Sequence, residues 1–266
     1  MRLNAEMKSG VVSVEDTLAA ARQLRRSNKP VEASRLLLET LRNAPELGSV
    51  HAELGLTLFG LGLVERGVEA LERAVRFAPN VVRYRVNLSG MYHHLGRFKE
   101  CIALGLPLVE EDPTCGLAHI NLGLSYSGLG DWAKSIEHFE QAADALPGHS
   151  GAWLNLGLGY ENRCADVQAN QCFKKAVRIA PENLKSWICL ATSNLRLGAF
   201  SEGWEQFSKR FELDPSLAPQ GDTPIWKGES LEGRSIHLIA EQGLGDLVQF
   251  IRFAKPLSEQ GAQVFA

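Results

Sequence analysis

Three asparagines, Asn87, Asn121 and Asn155, stand thirty-four residues apart. A carboxamide offers two donors and an acceptor, so a row of them at constant offset suits hydrogen bonding to the backbone of an extended peptide, whatever its side chains. Leu124 and Leu158 follow three residues later, and His94 and Asn162 follow seven residues after an asparagine. On a helix these spacings return to one side. Together with Leu56, Gly60 and Gly128 they describe a groove with apolar patches and small gaps. Common descent of repeated units would also place asparagine there, so the row alone leaves both readings open.

A second set of residues lies near the carboxy terminus. Gly243, Gly245 and Asp246 follow the apolar run Ile236 to Ala240, and glycines at such a turn let backbone approach a ligand at a helix start. The third glycine of a dinucleotide fingerprint is missing, because Val248 holds its place. Asp246 is equally suited to cap the following helix. The histidines do not suggest a metal: His93 and His94 are adjacent, His51 and His119 fall among packing positions, and no pair has the four-residue spacing of helical zinc ligands. Five cysteines without a Cys-x-x-Cys pair predict free thiols in a reducing compartment. No cofactor is expected.

The elements that must position these residues are set by proline. Pro45, Pro79, Pro113, Pro147, Pro181 and Pro215 recur every thirty-four residues, a period that denotes one two-helix unit copied in tandem. With proline at position 32, the units start at Val14, Gly48, Val82, Gly116, Ser150 and Leu184. Positions 4, 7, 8 and 11 then share one face of a first helix, as in Trp153, Leu156, Gly157 and Tyr160. A mid-helix glycine costs about 1 kcal/mol against alanine, so Gly55, Gly123 and Gly157 at position 8 predict close approach of a neighbouring helix. The second helix is small at position 20, bulky at 24 and small at 27, as in Ala169, Phe173 and Ala176; the third unit departs from this with Gly105 and Leu108. Position 15 carries Gly62, Gly96, Gly130, Gly198 and Asn28, residues that tolerate a left-handed helix stop, with Cys164 the exception. Position 6, where the asparagines lie, is turned away from its own unit's packing face.

From Val14 to about Asp214 this pattern resembles the tetratricopeptide repeat family, most closely in the fourth and fifth units. The resemblance implies an all-α fold, a right-handed superhelix of helix-turn-helix repeats with first helices on the concave side. The asparagine row is similar to the ladder of protein O-linked N-acetylglucosamine transferases, which implies capture of peptide backbone. A carboxylate clamp of the kind some family members use would need clustered basic residues, and Arg22, Arg26, Arg83, Lys185 and Arg196 are scattered. The segment from Trp226 to Asp246 resembles the domain that follows such repeats in bacterial proteins related to the heptosyltransferases of glycosyltransferase family nine. That resemblance implies a Rossmann-like βαβ start, with Asp246 matching the position of a general base. The sequence stops at Ala266, early in that domain, so a sugar-nucleotide site is not expected.

The expected organisation is an amino-terminal segment 1–13, six units over 14–215, a linker over 216–234 and an incomplete βαβ segment over 235–266, with a helix ending near Pro256 and a second strand from Gln263. Twenty-eight basic against thirty-one acidic residues, a net charge of −3, give no reason to expect nucleic acid or a membrane surface as partner. The leading reading is a cytoplasmic, non-enzymatic scaffold binding a protein or peptide in its concave groove. The alternative is the acceptor-targeting arm of a longer glycosyltransferase, and the open edge of the βαβ segment is expected to favour association.

Overall fold

The computed structural model describes residues 13–215, 226, 228–238 and 251–265. The chain divides into two compact units, Met1–Lys209 and Arg210–Ala266. Residues 14–213 form helical hairpins: α1 (Val14–Arg26) with α2 (Pro30–Asn43), α3 (Gly48–Gly60) with α4 (Val64–Phe77), α5 (Val82–His94) with α6 (Phe98–Glu111), α7 (Gly116–Gly128) with α8 (Trp132–Ala145), α9 (Ser150–Asn162) with α10 (Asp166–Ile179), and α11 (Leu184–Arg196) with α12 (Phe200–Leu213). Every first helix begins at the unit start that the proline period dictates. Ser13, Asp131 and Asn183 cap α1, α8 and α11 through side-chain oxygens that accept backbone amides.

Each hairpin turns through a residue with positive φ at position 15. Gly62, Gly96, Gly130 and Gly198 lie between 71° and 80°, and Asn28 and Cys164 adopt 58° and 56°. The geometry of the turn therefore holds in all six units, including the one where the residue is neither glycine nor asparagine.

Within a hairpin, position 8 meets position 24. A Cβ built on Gly157 would lie 2.4 Å from the Phe173 ring, and one on Gly123 2.6 Å from Phe139; Gly55 would meet Leu71 at 2.8 Å. The third hairpin exchanges these sizes. Gly105 leaves space for Leu122 of the next hairpin, which would lie 2.8 Å from an added Cβ, while Ser89 replaces the position-8 glycine and Leu108 is fully buried. What reads in sequence as a departure is a transfer of volume from one hairpin to its neighbour.

The second helices α2, α4, α6, α8 and α10 are each held between two first helices, and the buried apolar clusters follow: Leu37 and Leu41 pack with Val50 and Leu54, and Leu71 packs with Tyr84 and Leu88. Further along, Phe139 packs with Leu156, and Phe173 with Leu190. Burying one such side chain contributes about 1.5–3 kcal/mol, so each hairpin is stable only on its neighbours. Successive first helices also touch, α1 with α3, α5 with α7 and α7 with α9. The second helices instead pack mainly on first helices, which places the first helices on the inner, more tightly curved face of the stack.

In the second unit, β1 (Ser235–His237) pairs in parallel with β2 (Gln263–Phe265), Ile236 opposite Val264. A short 3₁₀ turn (Ile251–Phe253) leads into α13 (Ala254–Glu259). Leu231, Leu257 and Ala262 are buried there against Ile236, Leu238 and Val264. Pro256 lies in the first turn of α13, where its missing amide costs no helical bond, and so does not end a helix as expected. Gly243, Gly245 and Asp246 lie outside the described residues.

Candidate functional site

The inner face rests on two hydrogen bonds that recur between hairpins. At position 4 of four first helices, a ring nitrogen meets the carbonyl of the proline six residues before it. The Trp153 and Trp187 indoles donate to Pro147 and Pro181 at 3.0 and 2.8 Å, and His51 and His119 Nε2 reach Pro45 and Pro113 at 2.7 and 3.1 Å. The repeat proline thus also presents a carbonyl that fixes the next hairpin. At position 11, the Tyr92 hydroxyl donates to Glu72 at 2.9 Å, and Tyr160 donates likewise to Glu140. Burial, reinforced by the Glu72 carboxylate, pushes the Tyr92 phenol up to about 12, so it remains a donor at neutral pH.

Position 6 faces the preceding first helix. Asn121 Nδ2 donates to the Val86 carbonyl at 3.0 Å and to the Ser89 hydroxyl at 2.9 Å, both on α5. Its amide also lies 3.4 Å from where a Cβ on Gly90 would be, one turn beyond Asn87. Asn87 and Asn155 are half-buried on α5 and α9, and neither has a hydrogen-bond partner among the described residues. Three identical residues at equal spacing therefore split into one that ties two hairpins together and two whose amides remain uncommitted.

Leu124 and Leu158 are half-buried at the edges of two apolar clusters. Exposed His94 packs edge-on against Phe59 of the preceding hairpin, centroids 4.9 Å apart. Asn162 donates to the Leu158 carbonyl within its own helix at 2.9 Å, so its amide is partly spent locally. Gly128 is no gap in a groove, since the Phe98 ring occupies the space a Cβ would take, 2.6 Å away. Gly60 has open space beside it.

Charged residues pair between hairpins toward both ends of the array. Glu53, at position 6 of the second hairpin, is buried with Arg22 Nε at 2.9 Å and Arg25 Nη2 at 3.1 Å. Arg196 pairs with Glu161 and Asp166 at 2.6 and 3.1 Å. Arg22 and Arg196, two of the basic residues a carboxylate clamp would need, are thereby engaged within the protein. Arg85 stands at position 4 of the third hairpin, where four other hairpins carry rings, and its guanidinium makes a two-pronged contact with Glu111 at 2.6 and 2.9 Å.

Two neighbouring histidines meet beneath this face: His119 Nδ1 lies 3.0 Å from His138 Nδ1. His119 donates from Nε2 to Pro113, so its Nδ1 must accept and His138 Nδ1 must donate. Burial holds both rings below the ordinary histidine range, and for His138 the neighbouring His119 adds to it. His138 was not distinguished by the sequence reading, because the partner that gives it a role lies on another helix. Burial also pushes the Cys101 and Cys189 thiols up, and Cys172 to about 11, which leaves little nucleophilic thiolate at neutral pH.

A tetratricopeptide repeat family model matches residues 116–149, and a second model of that description matches residues 18–82 and 52–114. The hairpins within residues 18–149 match tetratricopeptide repeats. Protein FlbA of Caulobacter vibrioides is 30% identical over 178 residues, covering 65% of this chain and 30% of FlbA; the chain thus spans less than a third of that relative's length. Among solved structures, PilW, a type IV pilus biogenesis factor, superposes with a TM-score of 0.68 at 15% identity over 76% of this chain and 93% of PilW. A chain of the APC/C hetero-tetramer Cut9–Hcn1 gives 0.67 at 16% identity, covering 75% of this chain and 40% of that one. At such identities the likeness is one of fold. No helix among the described residues is long and apolar enough to cross a membrane.

Proposed function

We propose that this tetratricopeptide array is a protein-interaction scaffold that holds an extended peptide or a partner helix along its inner face. The observation that carries this reading is the uncommitted state of Asn87 and Asn155. Half-buried carboxamides without a partner cost stability unless water or a ligand completes them, and these two flank an identical residue whose amide nitrogen is committed to α5. Leu124 and Leu158 beside them supply apolar anchors, and His94 next to Phe59 adds an exposed ring. The family's general role in binding protein partners and the Cut9–Hcn1 assembly, itself a complex, are in keeping with it.

A photo-crosslinking side chain placed at Leu158, compared with one at the exposed Glu110 of a second helix, tests the reading in the native host. Crosslinks to a partner at Leu158 and not at Glu110 are expected. Labelling of Glu110 alone would remove the inner face from consideration.

A second reading, the acceptor-targeting arm of a longer glycosyltransferase-like protein, is favoured by one observation only, the parallel pairing of β1 and β2 across a helical crossover. It predicts a catalytic region beyond Ala266 in the parent gene, and sequencing that gene tests it directly.

A further inference from the structure

The outer side of the first two hairpins carries a cavity of about 530 Å³, within the size range of ligand sites. The second helices α2 and α4 form its sides and α3 lies at its base. Its floor is apolar, with Leu41, Leu54, Leu58 and Ala70 buried there and Leu38 and Phe77 more exposed. Its rim is basic: Arg42 comes from α2, and Arg66, Arg73 and Arg76 from α4, with Glu69 the one acid.

The sequence of α4 explains the rim. Residues 66, 69, 70, 73, 76 and 77 follow helical spacing along one face, so one stripe presents three guanidinium groups together with Phe77. Arg22, Arg25, Arg85 and Arg196 are each neutralised by an acid. The four at this cavity are exposed and form no ion pair among the described residues. A concentration of unpaired positive charge in a chain of net charge −3 is a local feature that overall composition conceals. One wall is also fixed in advance. The His51 ring is bonded through Nε2 to the Pro45 carbonyl and stacks on Phe77, centroids 5.5 Å apart, which lowers the ordering cost of binding.

We propose that this cavity is a second binding site, for an acidic peptide segment whose apolar side chains enter the floor while its carboxylates meet the arginines. Planar guanidinium groups recognise carboxylates in two-pronged fashion, and an aliphatic floor suits leucine or phenylalanine anchors. Single-stranded nucleic acid is the poorer fit, because it calls for several stacking rings along a basic track, and the cavity offers Phe77 and His51 already stacked on each other. An anionic bilayer calls for a convex apolar ridge in place of a hollow. This site is separate from the inner groove, so the two readings stand or fall independently.

The test uses the full chain and a fluorescent short peptide in which aspartates and glutamates alternate with leucines and phenylalanines, beside a matched peptide with asparagine and glutamine in place of the acids. The acidic peptide is expected to bind at least about tenfold more tightly, with affinity falling as salt rises. Arg42→Glu and Arg73→Glu are each expected to weaken it by about tenfold or more while the thermal midpoint stays within a few degrees. Asn87→Ala with Asn155→Ala is expected to leave it unchanged, which separates this site from the inner face. Equal binding of both peptides, no response to either charge reversal, or tighter arginine-dependent binding of an oligonucleotide or of phosphatidylserine vesicles would each overturn the proposal.

Discussion

Asn121 donates to the Ser89 hydroxyl at 2.9 Å across the junction of the third and fourth hairpins, and Ser89 stands at the helix position where the second, fourth and fifth hairpins carry glycine. The serine is accommodated because position 24 of its own hairpin is Gly105, so no bulky side chain presses on it. The exchange of sizes in the third hairpin thus creates the acceptor that removes Asn121 from the row of available amides. Asn121→Ala is expected to lower stability by about 1–2 kcal/mol, measured by urea denaturation. Asn87→Ala and Asn155→Ala are each expected to change it by less than about 0.5 kcal/mol. A double-mutant cycle with Ser89→Ala should return a coupling of about 0.5–1.5 kcal/mol, and no coupling would show that the contact does not form in solution.

That division among the asparagines shows where sequence reading stops. Proline spacing fixed the start of every first helix, and the glycines at positions 8 and 15 announced close packing and a left-handed turn, because these are properties of one hairpin and its local backbone. The role of Asn121 depends on Ser89 and the Val86 carbonyl, roughly one full repeat earlier, and the cavity depends on side chains from three helices. Rotation about a single helix axis showed only that position 6 leaves its own unit, and could not show that it meets the unit before. The outer arginines were overlooked for a related reason: on a helix surface they read as solvated charge, and only the gap between α2 and α4 gives them a common object. Pro256 was misread because proline is compatible with the first turn of a helix as well as with its end.

Cys164 occupies a left-handed backbone conformation, φ 56°, that costs a side-chain-bearing residue about 1–2 kcal/mol. Cys164→Gly should therefore raise stability by about 1 kcal/mol, whereas Asn28→Gly should change it by only a few tenths, since asparagine tolerates the same region. The denaturation midpoints of the two variants provide the comparison, and a destabilised Cys164→Gly protein would contradict the backbone account.

Glycines at two positions of the same helix type should respond with opposite sign. In Gly157→Ala the new methyl would meet the Phe173 ring at 2.4 Å, an overpacking expected to cost about 1–3 kcal/mol. Gly60→Ala places a methyl in open space at the end of α3, and the helix preference of alanine should contribute up to about 1 kcal/mol. Thermal melts of both variants suffice. Adding Phe173→Leu to Gly157→Ala should recover part of the loss, which distinguishes a ring clash from a general intolerance of α9.

Pro107 lies exposed inside α6 and removes one main-chain bond from that helix. Pro107→Ala restores the donor without disturbing a buried contact and should stabilise the array by about 1–3 kcal/mol. Amide exchange along α6 gives a local readout: slower exchange is expected in the turn that includes Ala103, the residue whose carbonyl gains the bond, and unchanged protection would mean that neighbouring hairpins already hold the helix closed.

The histidine pair makes stability depend on pH. With Nε2 of His119 committed to Pro113, one hydrogen lies between the facing Nδ1 atoms, and a proton added at His119 Nδ1 would set two N–H groups against each other. Burial already holds His119, His138 and, on α5, His93 below the ordinary histidine pKa. In the unfolded chain these rings take up protons near their ordinary value of about 6.5. The unfolded state therefore binds more protons just below that pH, and stability, complete above it, must fall as pH drops through the lower values of the folded protein. The thermal midpoint is expected to be level above about pH 7 and to decline as pH falls below about 6.5. His138→Asn keeps an N–H donor for His119 while removing one titrating ring, so its decline should be shallower, with His93 and His119 responsible for what remains. A midpoint that falls equally steeply in His138→Asn would assign the acid sensitivity to groups other than the pair.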